Sequence, residues 1–67
     1  MEWSKRKFKI NGKAKRICEM SEAEATVCKR HFHDLANAAE LADKAGEQTL
    51  WTGFEMECED RLKELDQ

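Results

Sequence analysis

The side chains of this sequence best suited to metal or nucleophilic chemistry are its three cysteines and two histidines. Cys18, Cys28, His31 and Cys58 are of the types that bind zinc, and Cys28 and His31 share one face of a predicted helix. Structural zinc sites usually take their ligands in pairs about two to four residues apart, whereas Cys18 and Cys58 stand alone. We therefore predict neither a metal site nor another cofactor, and we interpret Cys28 and Cys58 as small core residues.

A thiol beside an imidazole is also what a cysteine nucleophile needs. Here Cys28 lies on an apolar stripe, and His33 projects about 140° away from it on a helix. A thiol in apolar surroundings has a raised pKa and is inert. Because a 67-residue chain also offers little room for a pocket of the usual size, we predict that the protein is not an enzyme.

Charge is divided unevenly along the chain. Residues 1–17 carry seven Lys or Arg against one Glu, and residues 18–67 carry five against thirteen acids, so a basic segment precedes an acidic one. The seven cations are Lys5, Arg6, Lys7, Lys9, Lys13, Lys15 and Arg16. Their alternation with Trp3 and Phe8 is typical of a surface that contacts phosphates. They could instead pair with the acids of the same chain, or protect an exposed sheet edge.

The acidic part of the chain ends in a predicted helix rich in carboxylates. These carboxylates belong to Glu55, Glu57, Glu59, Asp60 and Glu64. One interpretation is an ordinary solvated face, relieved by Glu57 with Arg61 and Glu59 with Lys63 at i, i+4. The other is an acidic surface that docks on a basic patch of a partner.

Residues 1–20 predict a basic β-hairpin, because Asn11-Gly12 is the strongest short hairpin signal. A two-residue loop places Ile10 opposite Lys13, and a four-residue loop places Phe8 opposite Ile17. The pattern leaves this register open, and we favour the longer loop because it puts two apolar side chains on one face.

Ser21 and Glu24 form a capping box, which predicts a helix over about 22–45 closed by Gly46. Its main apolar stripe consists of Ala25, Cys28, Phe32, Leu35, Ala36, Ala39 and Ala42. A weaker second stripe consists of Ala23, Val27, Ala38, Leu41 and Ala45. A helix that is apolar on two sides is expected to pack against two neighbouring elements, one of which can belong to a second chain. The candidates for self-association are therefore Val27, Ala38, Leu41 and Ala45.

A second helix has one apolar stripe, formed by Trp51, Phe54, Cys58, Leu62 and Leu65. Its start is either near Gly46 or at the second capping box of Thr52 and Glu55. A short connection favours antiparallel neighbours, so residues 21–67 predict a helical hairpin. The expected fold is a single α+β domain over residues 1–67, with the N-terminal β-hairpin followed by an antiparallel αα-hairpin.

The cysteine count is odd, and no apolar stretch is long enough for a signal or a membrane span, so we expect a cytoplasmic protein without membrane contact. The size and the lack of catalytic motifs favour a non-catalytic protein-binding module. We expect a small inhibitor or regulator, of the kind that phages use, that acts on a larger protein or complex through charged and helical surfaces. The alternatives are a nucleic-acid-binding regulator that uses the basic hairpin, and a structural homodimer whose helices form a bundle.

Overall fold

The computed structural model describes residues 2–66 and has the predicted α+β architecture. Strands β1 (Lys7–Ile10) and β2 (Lys13–Arg16) form an antiparallel hairpin, and a 3-10 turn spans Ile17–Glu19. Helices α1 (Glu22–Leu41) and α2 (Ala45–Leu65) follow. Met1 and Gln67, the ends of the predicted 1–67 domain, lie outside the described residues.

The β-hairpin closes through a two-residue loop. Ile10 pairs with Lys13, and Asn11 and Gly12 take the positive φ angles, 51° and 82°, that a tight hairpin turn requires. The preferred four-residue loop with Phe8 opposite Ile17 is therefore wrong, because Phe8 pairs with Lys15. Ile17 is fully buried, but it reaches the core from the 3-10 turn after the strand has ended.

The predicted start of α1 is confirmed. The Ser21 hydroxyl accepts the Glu24 backbone N–H at 3.3 Å, and the Glu24 carboxylate accepts the Ser21 backbone N–H at 2.9 Å. Met20 and Ala25, on either side of this capping box, are both fully buried, as the hydrophobic staple requires. Local sequence therefore fixes where α1 begins.

The predicted end of α1 is wrong by one turn. The helix ends at Leu41, and Asp43 takes the left-handed conformation, with φ 57°. Its N–H donates to the Glu40 carbonyl at 3.1 Å, and the Lys44 N–H donates to the Ala39 carbonyl at 2.8 Å, which is the Schellman pattern. Aspartate tolerates this conformation better than most residues, so no glycine is needed.

The second helix begins at Ala45, the earlier of the two predicted starts. Gly46 therefore lies inside α2, and Thr52 is a mid-helix residue rather than a cap. The Lys29–Glu59 ion pair and the His33–Glu55 hydrogen bond show that the two helices run antiparallel, since the residue numbers rise along one helix and fall along the other.

The core lies between the two helices and beneath the β-hairpin. Phe8 of β1 meets Phe32 of α1 edge-on at 4.9 Å between ring centroids, and Phe54 of α2 at 5.1 Å. The buried cluster is formed by Ile17, Met20, Ala25, Cys28, Phe32, Phe54 and Cys58. The β-hairpin thus covers its own helical hairpin and needs no second copy to do so.

Within residues 2–66, neither helix is long and apolar enough to span a bilayer.

Candidate functional site

Four lysines of the basic segment point into solvent. Lys5, Lys7, Lys9 and Lys13 are all exposed, and none forms an ion pair within residues 2–66. Lys7 and Lys9 alternate with the core-facing Phe8 along β1, so both lie on the outer face of the hairpin. This face is a surface of free positive charge.

Two other cations of the segment instead hold the fold together. Lys15 pairs with Glu24 at 3.0 Å and so ties β2 to the first turn of α1. The Arg16 side chain donates to the backbone carbonyls of Ser4 and Trp3, at 3.1 and 3.4 Å. Of the seven cations, Lys15 alone is paired with a carboxylate among the described residues.

The Lys15 contact also affects the titration of its partner. The pKa of Glu24 is lowered because its carboxylate accepts the Ser21 backbone N–H and, to a lesser extent, a hydrogen bond from Lys15. The sequence also allowed the cations of residues 1–17 to pair with the acids of residues 18–67. Among the described residues, Lys15 with Glu24 is the one ion pair of this kind.

The seventh cation, Arg6, lies over aromatic rings. Its guanidinium carbon is 5.5 Å from the ring centroids of Phe8 and Phe54 and 5.7 Å from that of Trp51. These distances are those of cation–π contacts. Arg6 is exposed, and these contacts place its guanidinium against the aromatic side of the core.

Beside Arg6 lies a small cavity between β1 and the two helices, with a volume of about 230 Å³. We call it the Arg6 cavity. Its lining is formed by Arg6, Phe8, Lys9, Cys28, His31, Phe32, Leu35 and Trp51. The polar members are cationic or imidazole groups, and no carboxylate from residues 2–66 lines the cavity.

The expected ladder of free carboxylates on α2 is mostly engaged within the molecule. Glu55 pairs with His33 at 3.0 Å, and Glu59 pairs with Lys29 at 3.3 Å, both across to α1. Glu64 pairs with Arg61. The half-buried Asp60 has no ion pair within residues 2–66. Neither predicted i, i+4 pair forms within residues 2–66, because Glu59 is taken by Lys29 of α1, Arg61 by Glu64 of its own helix, and Glu57 by the N-terminal segment.

Glu57 departs furthest from the predicted ladder. It is 9% exposed, and its carboxylate accepts the backbone N–H of Ser4 at 2.8 Å. The N-terminal segment therefore covers this side chain, and Glu57 cannot belong to an exposed acidic surface.

The cysteines occupy the places expected of core residues. Cys28 and Cys58 are buried, Cys18 is half-buried, and all are free thiols. Burial raises the pKa of Cys28, and it raises the pKa of Cys58 to about 12, with Cys28 and Glu57 adding smaller effects. Across residues 2–66, His, Cys, Asp and Glu side chains form no cluster of three suited to a metal ion.

The second apolar stripe of α1 stays uncovered in the single chain. Val27 is 67% exposed and Leu41 is 90% exposed, and Ala38 is exposed between them. Ala45 is exposed as well, but it belongs to the start of α2 rather than to α1. These residues are available to a partner, and self-association through them stays a prediction.

Sequence reasoning missed the parts that His31, Leu35 and Trp51 play beside Arg6. Arg6 and Trp51 are far apart along the chain, and no local pattern indicates that they meet. Comparison with protein-family models, curated proteins and solved structures finds no match to this chain.

Proposed function

We propose that this protein is a non-catalytic protein-binding module, a small inhibitor or regulator that docks on a larger protein through its basic hairpin. One observation carries the proposal. Lys5, Lys7, Lys9 and Lys13 are exposed and unpaired within residues 2–66, whereas most carboxylates of α2 are engaged by the protein itself. The charge that a partner meets at the hairpin is positive.

The docking face we propose is the basic hairpin and not the acidic face of the second helix, which the sequence also offers as a docking surface. A carboxylate already engaged by a neighbouring side chain, such as Glu55 by the His33 imidazole or Glu59 by the Lys29 ammonium group, attracts a basic partner only weakly. Free lysines on a rigid strand steer an acidic surface toward the hairpin and fix its orientation. The proposed partner therefore presents acidic side chains.

A protein partner fits this charge distribution better than a long nucleic acid does. Residues 18–67 carry five basic against thirteen acidic side chains, which repels a polyphosphate chain that extends beyond the hairpin. An acidic patch on a protein can end where the hairpin ends. The aromatic rings nearest the hairpin are also covered by Arg6, which leaves them poorly placed to stack on bases.

We place the protein in the cytoplasm. Support comes from the three free thiols, two of them buried, since an oxidising compartment favours paired cysteines.

Affinity capture with charge-matched variants tests the proposal. The hairpin variant carries Lys5→Gln, Lys7→Gln and Lys9→Gln. The control carries Arg30→Gln, Lys44→Gln and Lys63→Gln, which removes the same charge from exposed positions on the two helices and the connection between them. After nuclease treatment of a lysate of the source cells, we expect one partner protein with wild type and control and its loss with the hairpin variant. Equal capture by all three would contradict docking through the hairpin.

Nucleic-acid binding through the same face is the second candidate. Lys7 and Lys9 of β1 lie on the outer face of the hairpin, and Arg16 of β2 is the cross-strand neighbour of Lys7 on that face. Fluorescence anisotropy with labelled duplex and single-stranded DNA at physiological salt tests it directly. We expect no binding at micromolar concentration. Binding that disappears in the hairpin variant and falls steeply with salt would replace the protein-binding proposal.

A further inference from the structure

The Arg6 cavity lies next to the proposed docking face and differs from it in character. Its walls include Phe32, Leu35 and Trp51, which are apolar, and its rim carries Arg6 and Lys9. At about 230 Å³ it is below the range of roughly 300–1,000 Å³ usual for drug-sized ligands. The cavity therefore suits one side chain or a group of that size.

Arg6 is positioned in advance to bind an anion. Its guanidinium lies over the rings of Phe8, Trp51 and Phe54 at 5.5–5.7 Å, which restricts the side chain before any ligand arrives. It forms no ion pair within residues 2–66. A stacked guanidinium keeps its N–H groups in the plane of the fork, where they match the two oxygens of a carboxylate.

The other polar groups at the cavity add to the same preference. Lys9 of β1 and His31 of α1 both line the cavity, and both are exposed. Neither forms an ion pair among the described residues. An apolar cavity that has donors from two elements, and no carboxylate of residues 2–66 in its lining, is complementary to an apolar group that carries a negative charge.

We infer that the Arg6 cavity binds an apolar side chain of an acidic peptide segment, whose neighbouring carboxylate pairs with Arg6. The inference rests on the proposed function and names the feature of the partner that the docking face recognises. The lysines outside the cavity then meet further acidic residues of the same segment.

A nucleotide base fits the cavity less well than an aliphatic or aromatic side chain. Trp51 already stacks on Phe32, with 5.9 Å between ring centroids and 12° between ring planes. Arg6 lies over Trp51 as well, at 5.7 Å. A base would have to displace one of these contacts before it could stack on the indole.

The first test uses 4-phenylbutyrate as a probe, with the neutral 4-phenylbutan-1-ol as its matched control. Titration is followed by the NMR signals of the Trp51 indole N–H and the backbone around His31. At an ordinary ligand efficiency the probe should bind with a dissociation constant of about 2 mM. We expect the alcohol and the Arg6→Gln variant to bind at least about fivefold more weakly, the effect of losing a charged hydrogen-bonding pair.

Two further variants separate the charge of Arg6 from its shape. Lys13→Gln removes a hairpin cation outside the cavity lining and should leave probe binding unchanged. Arg6→Lys keeps the charge but loses the planar fork, so its affinity should lie between those of wild type and Arg6→Gln. Equal binding of acid and alcohol, or unchanged binding in folded Arg6→Gln, would overturn the inference.

The second test identifies the source of the anion. The amide-capped peptide Glu-Leu-Glu-Leu should compete with the probe, and the peptide Gln-Leu-Gln-Leu and a thymidylate decamer should not. Competition by the decamer alone would show that the cavity belongs to a nucleic-acid site. If the hairpin-dependent partner is captured but no acidic probe binds, this inference fails and the proposed function stands. If the probes bind but no partner is captured, the proposed function fails instead.

Discussion

The backbone N–H of Ser4 donates a 2.8 Å hydrogen bond to the Glu57 carboxylate, across a separation of 53 residues. This bond fixes the N-terminal segment against α2, and Arg16 binds the carbonyl of the same Ser4 from β2. The segment that leads into the basic hairpin is thus held from both sides. The positions of Lys5 and Arg6 depend on it.

We expect removal of the Glu57 carboxylate to loosen this segment. Glu57→Ala should lower the free energy of unfolding by about 2 kcal/mol, because a hydrogen bond to a charged group is lost at a buried site. Glu57→Gln keeps an acceptor oxygen and should cost less. Urea unfolding measures both, and hydrogen exchange of the Ser4 amide should quicken in the alanine variant. An exchange rate equal to that of wild type would show that the bond does not hold the segment.

The three glycines should respond differently to alanine. Gly53 lies inside α2 with open space around its α-carbon, so Gly53→Ala should raise the free energy of unfolding by about 0.5–1 kcal/mol. Gly12→Ala should lower it by about 1–2 kcal/mol, because φ is 82° there. Gly46→Ala should raise it as well, because Gly46 lies inside α2 and is not a left-handed cap of α1. Thermal or urea unfolding of the three variants gives the signs.

Alkaline pH should destabilise the protein through Cys58. The pKa of the Cys58 thiol is about 12 in the folded protein, whereas its ordinary value is 9.0. As the pH rises, the unfolded chain therefore loses this proton before the folded protein does. The contribution of Cys58 to the free energy of unfolding is fully present below pH 9.0. It declines between pH 9.0 and pH 12, by up to about 1.4 kcal/mol per pH unit. Unfolding free energies measured between these values should fall less steeply in Cys58→Ala than in wild type. Parallel curves would mean that Cys58 is not protected from ionisation.

A substitution in the exposed second stripe of α1 should leave the free energy of unfolding almost unchanged. Val27 is 67% exposed and the β-hairpin does not cover it, so Val27→Asp should change the free energy of unfolding by less than about 0.5 kcal/mol. Sedimentation at tens of micromolar then tests the homodimer alternative. A wild-type dimer that becomes monomeric in Val27→Asp would support it, and a wild-type monomer would exclude it.

Local features of the sequence determined the elements of this protein. Asn11-Gly12 specifies a tight turn because both residues accept positive φ. Ser21 with Glu24 specifies a helix start because each side chain accepts the backbone N–H of the other residue. The periodic apolar residues identified most of the core, including Phe32, Phe54 and Cys58, since helical spacing alone places them on one face.

Tertiary structure decided which charges are free. The pattern of the second helix predicts that the Glu57 carboxylate is exposed. It is buried because the N-terminal segment, 53 residues away, donates a backbone hydrogen bond to it. From the sequence, Arg6 is one more cation of the hairpin. Its position over Trp51 and Phe54 arises because β1 packs across the two helices. The environment of a charged side chain is set by whatever lies within a few ångströms of it. Contacts between distant segments, which no local pattern encodes, therefore decide which charged side chains the proposed docking face presents.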